Sequence, residues 1–167
     1  MGLTVPALYY HFGSKLGILR ALIEEHLRER EDLMTARLSG ASRHGRAPER
    51  ILDDGLRAYV YFMADERGMA WVMLRDARLL AEEGLFDLVR ASEARIAELL
   101  AEVLAEGMEA GSFRRSDPLL TAHLLLAAAR CALLSRAVAD LGHGHGPTAE
   151  AVLELLLEGV LARKASP

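Results

Sequence analysis

Over residues 119–134 the only strongly polar side chains are His123 and Arg130, and Leu153, Leu155, Leu156, Leu157, Val160 and Leu161 make the last segment similarly apolar. A helix that is apolar on every side has to be buried on every side. A chain of 167 residues has few interior places of that kind. The economical expectation is that these two helices are covered by a partner subunit.

The remainder is also helical by pattern, because apolar residues recur at a 3.6-residue period between Gly- and Pro-marked breaks and strand alternation is scarce. The fold class is all-α. A helix is predicted over 14–38, with Leu16, Leu19, Ile23, Leu27 and Met34 on one face and a charged Glu/Arg run opposite. Residues 39–47 have loop composition, and Pro48 opens a helix to about Asp65 with Leu52, Leu56, Tyr59, Val60 and Met63 in its stripe. A shorter helix is predicted over 69–83 and a long one over 85–110, the latter with Phe86, Val89, Ile96, Leu100, Val103 and Leu104 inward. Gly111-Ser112-Phe113 closes it, Asp117-Pro118 supplies a cap and an N1 proline for a helix to about Leu141, and the last helix covers 148–163.

Composition excludes several classes. No run of 18 or more apolar residues lacks charge, which argues against a membrane span, and no secretory leader pattern is evident. A single cysteine, Cys131, leaves no internal disulfide framework or multi-cysteine metal site, and its apolar helix predicts an inert packing role. A cytoplasmic location is the expectation. The net charge of −4 does not suit a protein that coats nucleic acid. Yet Lys15 and Arg20 precede the first carboxylate, Glu24, so one tip is cationic on an acidic body.

That tip is the run GLTVPALYYHFGSK at 2–15. Thr4 can cap a helix whose first turn holds Pro6, Leu8 and Phe12 lie four apart and can pin it to a small core, Gly13 ends it, and Ser14 caps the next. Tyr9, Tyr10, His11 and Lys15 supply the hydroxyls, imidazole and ammonium that suit phosphate contact on DNA. On chemistry alone, the same residues also fit the first turns of an ordinary amphipathic bundle.

The run resembles the signature of TetR-family transcriptional repressors, in which a Gly-Val-Ser turn leads into a Leu-Tyr-x-His-Phe helix and a turn with lysine. The resemblance implies a helix-turn-helix DNA-binding domain, partly present at 1–20, followed by a helical effector-binding and dimerisation domain at 21–167, whose last two helices form a four-helix bundle with the partner subunit across the twofold axis of a homodimer. In the family two further helices precede the recognition helix and position it on the duplex. The sequence as given begins in the turn, so a late-assigned start or a remnant is one expectation, and weak DNA binding by the chain alone another. The resemblance implies that Val5, Pro6 and Ala7 touch base edges by apolar contact, while Thr4, Tyr9, Tyr10, His11 and Lys15 hold phosphates.

No catalytic signature is present: there is no His-Glu-x-x-His, Glu-x-x-His, P-loop or Gly-x-Ser-x-Gly motif, and no cofactor is implied. His143 and His145 flank Gly144 in a loop whose composition explains them without a metal. The middle helices gather Tyr59, Phe62, Met63, Trp71 and Phe86 in a chain with only 5% aromatics. They can line an apolar effector cavity, with Arg75, His123 and Arg130 as polar anchors. They can equally fill an irregular core, with the arginines reaching to water. The expected function is a one-component repressor that binds operator DNA and is released by an apolar or aromatic small molecule. The alternative is a dimeric ligand-binding protein without DNA activity.

Overall fold

The computed structural model describes residues 10–39, 44–65, 77–141 and 149–161. Among them lie six named helices: α1 (Lys15–Leu38), α2 (Pro48–Asp65), α3 (Ala77–Glu82), α4 (Leu85–Glu109), α5 (Pro118–Leu141) and α6 (Ala149–Val160). A single isolated bridge, Phe113 with Leu161, is the extended pairing found among the described residues. The fold is all-α, and no described helix is long and apolar enough to cross a membrane.

Helix boundaries follow local chemistry. The Gly17 amide donates to Ser14 Oγ at 3.0 Å, so Ser14 satisfies one of the free amides at the start of α1. Asp117 does the same for α5, its Oδ1 accepting from the Leu120 amide at 2.8 Å, with Pro118 as first residue of the helix. The helix expected at 69–83 is described only over Ala77–Glu82, and that expected at 148–163 over Ala149–Val160.

Helix α4 is central, packing against α1, α2, α3 and α5, while α6 closes the far side against α2 and α5. Two apolar cores form along it. The larger joins Met34 and Leu38 of α1, Leu52, Leu56 and Val60 of α2, Ile96, Leu100, Val103 and Leu104 of α4, Leu125 and Leu126 of α5, and Leu153 of α6. The smaller joins Ile23 and Leu27 of α1, Leu80 of α3 and Leu85 of α4, flanked by Leu16, Leu19, Leu88 and Val89. It lies at the end of α1 that begins at Ser14.

Three expectations are corrected. Phe86 is exposed, because Leu85, Ser92 and Ile96 define the buried stripe of α4 and residue 86 stands about 100° round the helix from Leu85. Phe12 is 41% exposed and therefore does not pin its helix among the described residues. Cys131 is exposed in the single chain, since the inward positions of α5 are Ala122, Leu125, Leu126 and Ala129.

The turn after α4 depends on close approach. The Ser112 and Phe113 amides both donate to the Gly107 carbonyl, at 2.8 and 3.1 Å, which folds the buried Phe113 ring back over the helix. A Cβ at residue 107 would lie 2.1 Å from that ring. Gly107→Ala is therefore expected to lower stability by about 1–3 kcal/mol through overpacking, read by guanidinium unfolding. A change below about 0.5 kcal/mol would show that the ring moves aside freely.

Candidate functional site

Between the two apolar cores lies a layer of polar side chains. On α1, His26 and Arg30 are buried at 6% and 3% exposure, on the face that carries Ile23, Leu27 and Met34. On α4, Ser92 is fully buried, and the Glu93 side chain beside it is 14% exposed. Arg30 Nη1 lies 2.7 Å from Glu93 Oε1, and Arg30 Nη2 donates to Ser92 Oγ at 2.9 Å. Arg130 of α5 approaches the other oxygen, its Nη1 lying 2.9 Å from Glu93 Oε2. One carboxylate is thus held between two guanidiniums contributed by different helices.

Aromatic and sulfur groups surround this triad. The His26 ring stacks on Phe62 of α2, with centroids 5.1 Å apart and planes 30° apart. Met63 Sδ lies 4.0 Å from Arg30 Nη1. Tyr59 is wholly buried, and its pKa is pushed up to about 12, first by burial and then by the Glu93 carboxylate. Its hydroxyl is within hydrogen-bonding reach of the Glu93 carboxylate, while Arg30 Nε is buried without a hydrogen-bond partner. Glu93 Oε1 likewise lacks an aligned hydrogen bond, so its contact with Arg30 is an ion pair of charge rather than direction. Phe62 also lines an open cleft of about 470 Å³ between α1 and α2, together with Leu33, Ala58 and Tyr61 and the charged Arg37, Asp54 and Arg57.

Four of the residues anticipated for an effector site therefore meet here: Tyr59, Phe62, Met63 and Arg130. Phe86 and His123 do not, both being exposed, His123 because it falls off the inward stripe of α5. Trp71 and Arg75 lie outside the described residues, as do His143 and His145. His26, Arg30, Ser92 and Glu93 were not anticipated. The available signal was the gap in the α1 stripe, where Arg30 occupies the turn between Leu27 and Met34.

At the other end, Thr4, Val5, Pro6, Ala7 and Tyr9 lie outside the described residues. Tyr10, His11 and Lys15 are exposed, with the Tyr10 ring edge-on to His11 at 5.8 Å. Gly17 lets the preceding turn sit close on α1, since a Cβ there would lie 2.1 Å from the Phe12 carbonyl oxygen. Arg20 Nη2 donates to the Glu83 carbonyl at 3.1 Å, fastening the first turns of α1 to the end of α3.

Residues 44–131 match the tetracyclin repressor-like, C-terminal domain family, which is more than half of the chain. The chain belongs to the TetR family of transcriptional regulators. Solved TetR-family structures share its fold. PfmR of Thermus thermophilus, a TetR-family transcriptional regulator, is similar at 26% identity and a TM-score of 0.71, over 94% of this chain and 82% of its own. A regulatory protein of the family from Rhodococcus RHA1 shares 22% identity at a TM-score of 0.66, over 97% and 82%. The ketosteroid transcriptional regulator KstR2 of Mycobacterium tuberculosis shares 21% at 0.63, over 97% and 81%. No curated protein matches the sequence. This TetR-family regulator thus has the family's ligand-binding domain, and regulators of this family bind operator DNA and act as dimers.

The two classes of ion pair on α4 differ in burial and hence in energy. Glu31 pairs with Arg95 at 2.8 Å near the surface, and that guanidinium holds the Glu31 carboxyl below its ordinary value of 4.5. A lowered folded-state pKa means that this contribution is present above the unfolded value and is lost as pH falls through the folded one. Glu93→Gln, which leaves two guanidiniums without their anion, is expected to cost about 3 kcal/mol or more at neutral pH. Glu31→Gln should cost under about 1 kcal/mol, and less still in acid. Equal losses for the two variants in denaturant titrations would contradict the distinction.

Proposed function

We propose that this regulator is a one-component repressor in which a small apolar or aromatic effector, seated at the polar layer, releases operator DNA. The observation that carries the reading is the buried Arg30–Glu93–Arg130 triad. Apolar side chains of similar volume often hold helices together at least as well as a buried ion pair, because desolvating Arg30 and Glu93 offsets much of their attraction. A layer that stability does not require, set between two cores and rimmed by Tyr59, Phe62 and Met63, has the character of a ligand seat.

The division of labour along the chain follows. Residues 1–20 are the DNA-contacting end and 21–167 the effector-binding and dimerisation part. Thr4, Tyr9, Tyr10, His11 and Lys15 would hold phosphates and Val5, Pro6 and Ala7 would meet base edges, supported by the outward placement of Tyr10, His11 and Lys15. Since α1 starts one residue beyond Ser14 and carries His26 and Arg30, a ligand that shifts the layer moves the DNA end with it, a rigid-body form of allostery.

The dimer would use the outward faces of α5 and α6. Leu120 and Leu124 are 58% and 61% exposed in the single chain, and Leu155 is 73% exposed. Leu156, by contrast, packs against the main core. Leu155→Glu should therefore yield monomer with little loss of fold, because an isologous interface brings the two introduced charges together. A wild-type protein that sediments as a monomer at micromolar concentration would defeat this interface.

DNA binding is tested with the full-length protein and the promoter region of its own gene in a mobility-shift assay. Tyr10→Ala and Lys15→Ala should weaken binding to similar degrees on all sequences and lower its salt dependence, since phosphate contacts position rather than specify. Hydrophobic compounds that raise the melting temperature should release the DNA. Compounds that stabilise the protein but leave the DNA complex intact would contradict the repressor reading.

A further inference from the structure

We propose that the effector is an amphipathic acid, a single carboxylate on an apolar or aromatic body, whose head group enters the layer formed by Arg30, Glu93 and Arg130. The inference rests on the reading of that layer as the effector seat and adds the ligand's chemistry.

Charge balance argues for it. Arg30 and Arg130 share the one Glu93 carboxylate, so the triad carries a net positive charge, with Arg30 and Glu93 buried and Arg130 partly exposed. Glu31, the residue after Arg30, also acts on Arg30 and Ser92, but its charge is matched by its own hydrogen-bonded partner Arg95, so it does not change the balance. An uncompensated interior cation is costly, and a monoanion relieves it. A dianionic phosphate would overshoot to a net negative layer, and a neutral ligand would leave the imbalance in place.

The hydrogen-bond inventory agrees. Arg30 Nε, which carries an N–H, is buried without a hydrogen-bond partner, whereas the Tyr59 hydroxyl is within reach of the Glu93 carboxylate and Glu93 Oε1 faces Arg30 Nη1. Nε is a donor, so its missing partner is an acceptor. Glu93, Arg30 and Arg130 all act electrostatically on the Tyr59 hydroxyl, which places these groups in one neighbourhood. A carboxylate brings two acceptor oxygens in the planar form that guanidinium donors fit, together with the negative charge.

The surroundings accept the apolar body. Met63 lies against Arg30 and Phe62 against His26, and Phe62 is also a wall of the 470 Å³ cleft between α1 and α2. Arg130, whose side chain is 37% exposed, is the member of the triad that solvent and an arriving head group reach first.

The test uses matched probes on the intact protein: 2-naphthoate against 2-naphthalenemethanol, and octanoate against 1-octanol, by isothermal titration calorimetry. Each acid should bind about ten-fold or more tightly than its alcohol, the worth of a charge-assisted hydrogen bond. Arg130→Gln should remove most of that preference while leaving alcohol affinity within about two-fold, and its unliganded melting curve reports whether it folds. If Arg130→Gln does not fold, Arg130→Lys is the second variant, expected to weaken the acids several-fold because an ammonium lacks the planar fork that fits a carboxylate. Alcohols binding as tightly as the acids overturn the proposed acid but leave the seat standing. Acids that bind with a preference untouched by both substitutions sit elsewhere, which overturns the inference together with the reading beneath it. An absence of binding by every acid also overturns it.

Discussion

A guanidinium taken out of water has to find an anion or it destabilises the fold by several kcal/mol. Arg30, at 3% exposure in the middle of α1, imposes that demand on everything packed around it. Glu93 answers it from α4, Ser92 takes a second donor, and Arg130 joins from α5. The arrangement fixes the register of α1 against α4 at one level, and the apolar residues above and below can then form two separate cores. Between those cores α1 crosses a junction whose energy depends on charge.

That junction gives a physical basis for signalling. Helix α1 has 24 residues and is about 36 Å long at 1.5 Å per residue, so a small rotation at Arg30 is enlarged at Ser14. The smaller core and the Arg20–Glu83 contact hold the first turns of α1 against α3 and α4. The close fit at Gly17 passes any motion of α1 to the preceding turn. In the proposed repressor, an anion entering the layer would alter the balance between Arg30, Glu93 and Arg130 and so the tilt of α1. Coupling of this sort requires the ligand to distinguish two arrangements of the layer, which a charged ligand does more strongly than a neutral one.

Much of this fold was legible because it follows local rules. Ser14 and the Asp117-Pro118 pair announced two helix starts, and the stripes of α2 and α4 named most of their core residues. Phe86 misled because one residue of drift at a helix start changes which side chain faces inward. Leu155 and Leu156 cannot be told apart in an all-leucine stretch until α6 is placed on its neighbours. The polar layer was hidden for a deeper reason. His26, Arg30 and Glu93 look like ordinary solvated helix surface, and only tertiary partners from other helices reveal a buried charge. The break in the α1 stripe at Arg30 was the visible trace. The family was legible from the 2–15 run, whereas the polar layer proposed as the effector seat was half legible: Tyr59, Phe62, Met63 and Arg130 were expected together and their charged partners were not.

The central claim is that the state of the polar layer sets the position of the DNA end. It is tested most directly by the separation between the two copies of a spin label at residue 24, an exposed position on α1, in a Cys131→Ser background by pulsed dipolar spectroscopy. Saturating naphthoate should shift the distance distribution by about 2 Å or more in this protein, and Glu93→Gln should shift it in the same direction without ligand. Release of DNA by the ligand with an unchanged distance distribution would contradict the account.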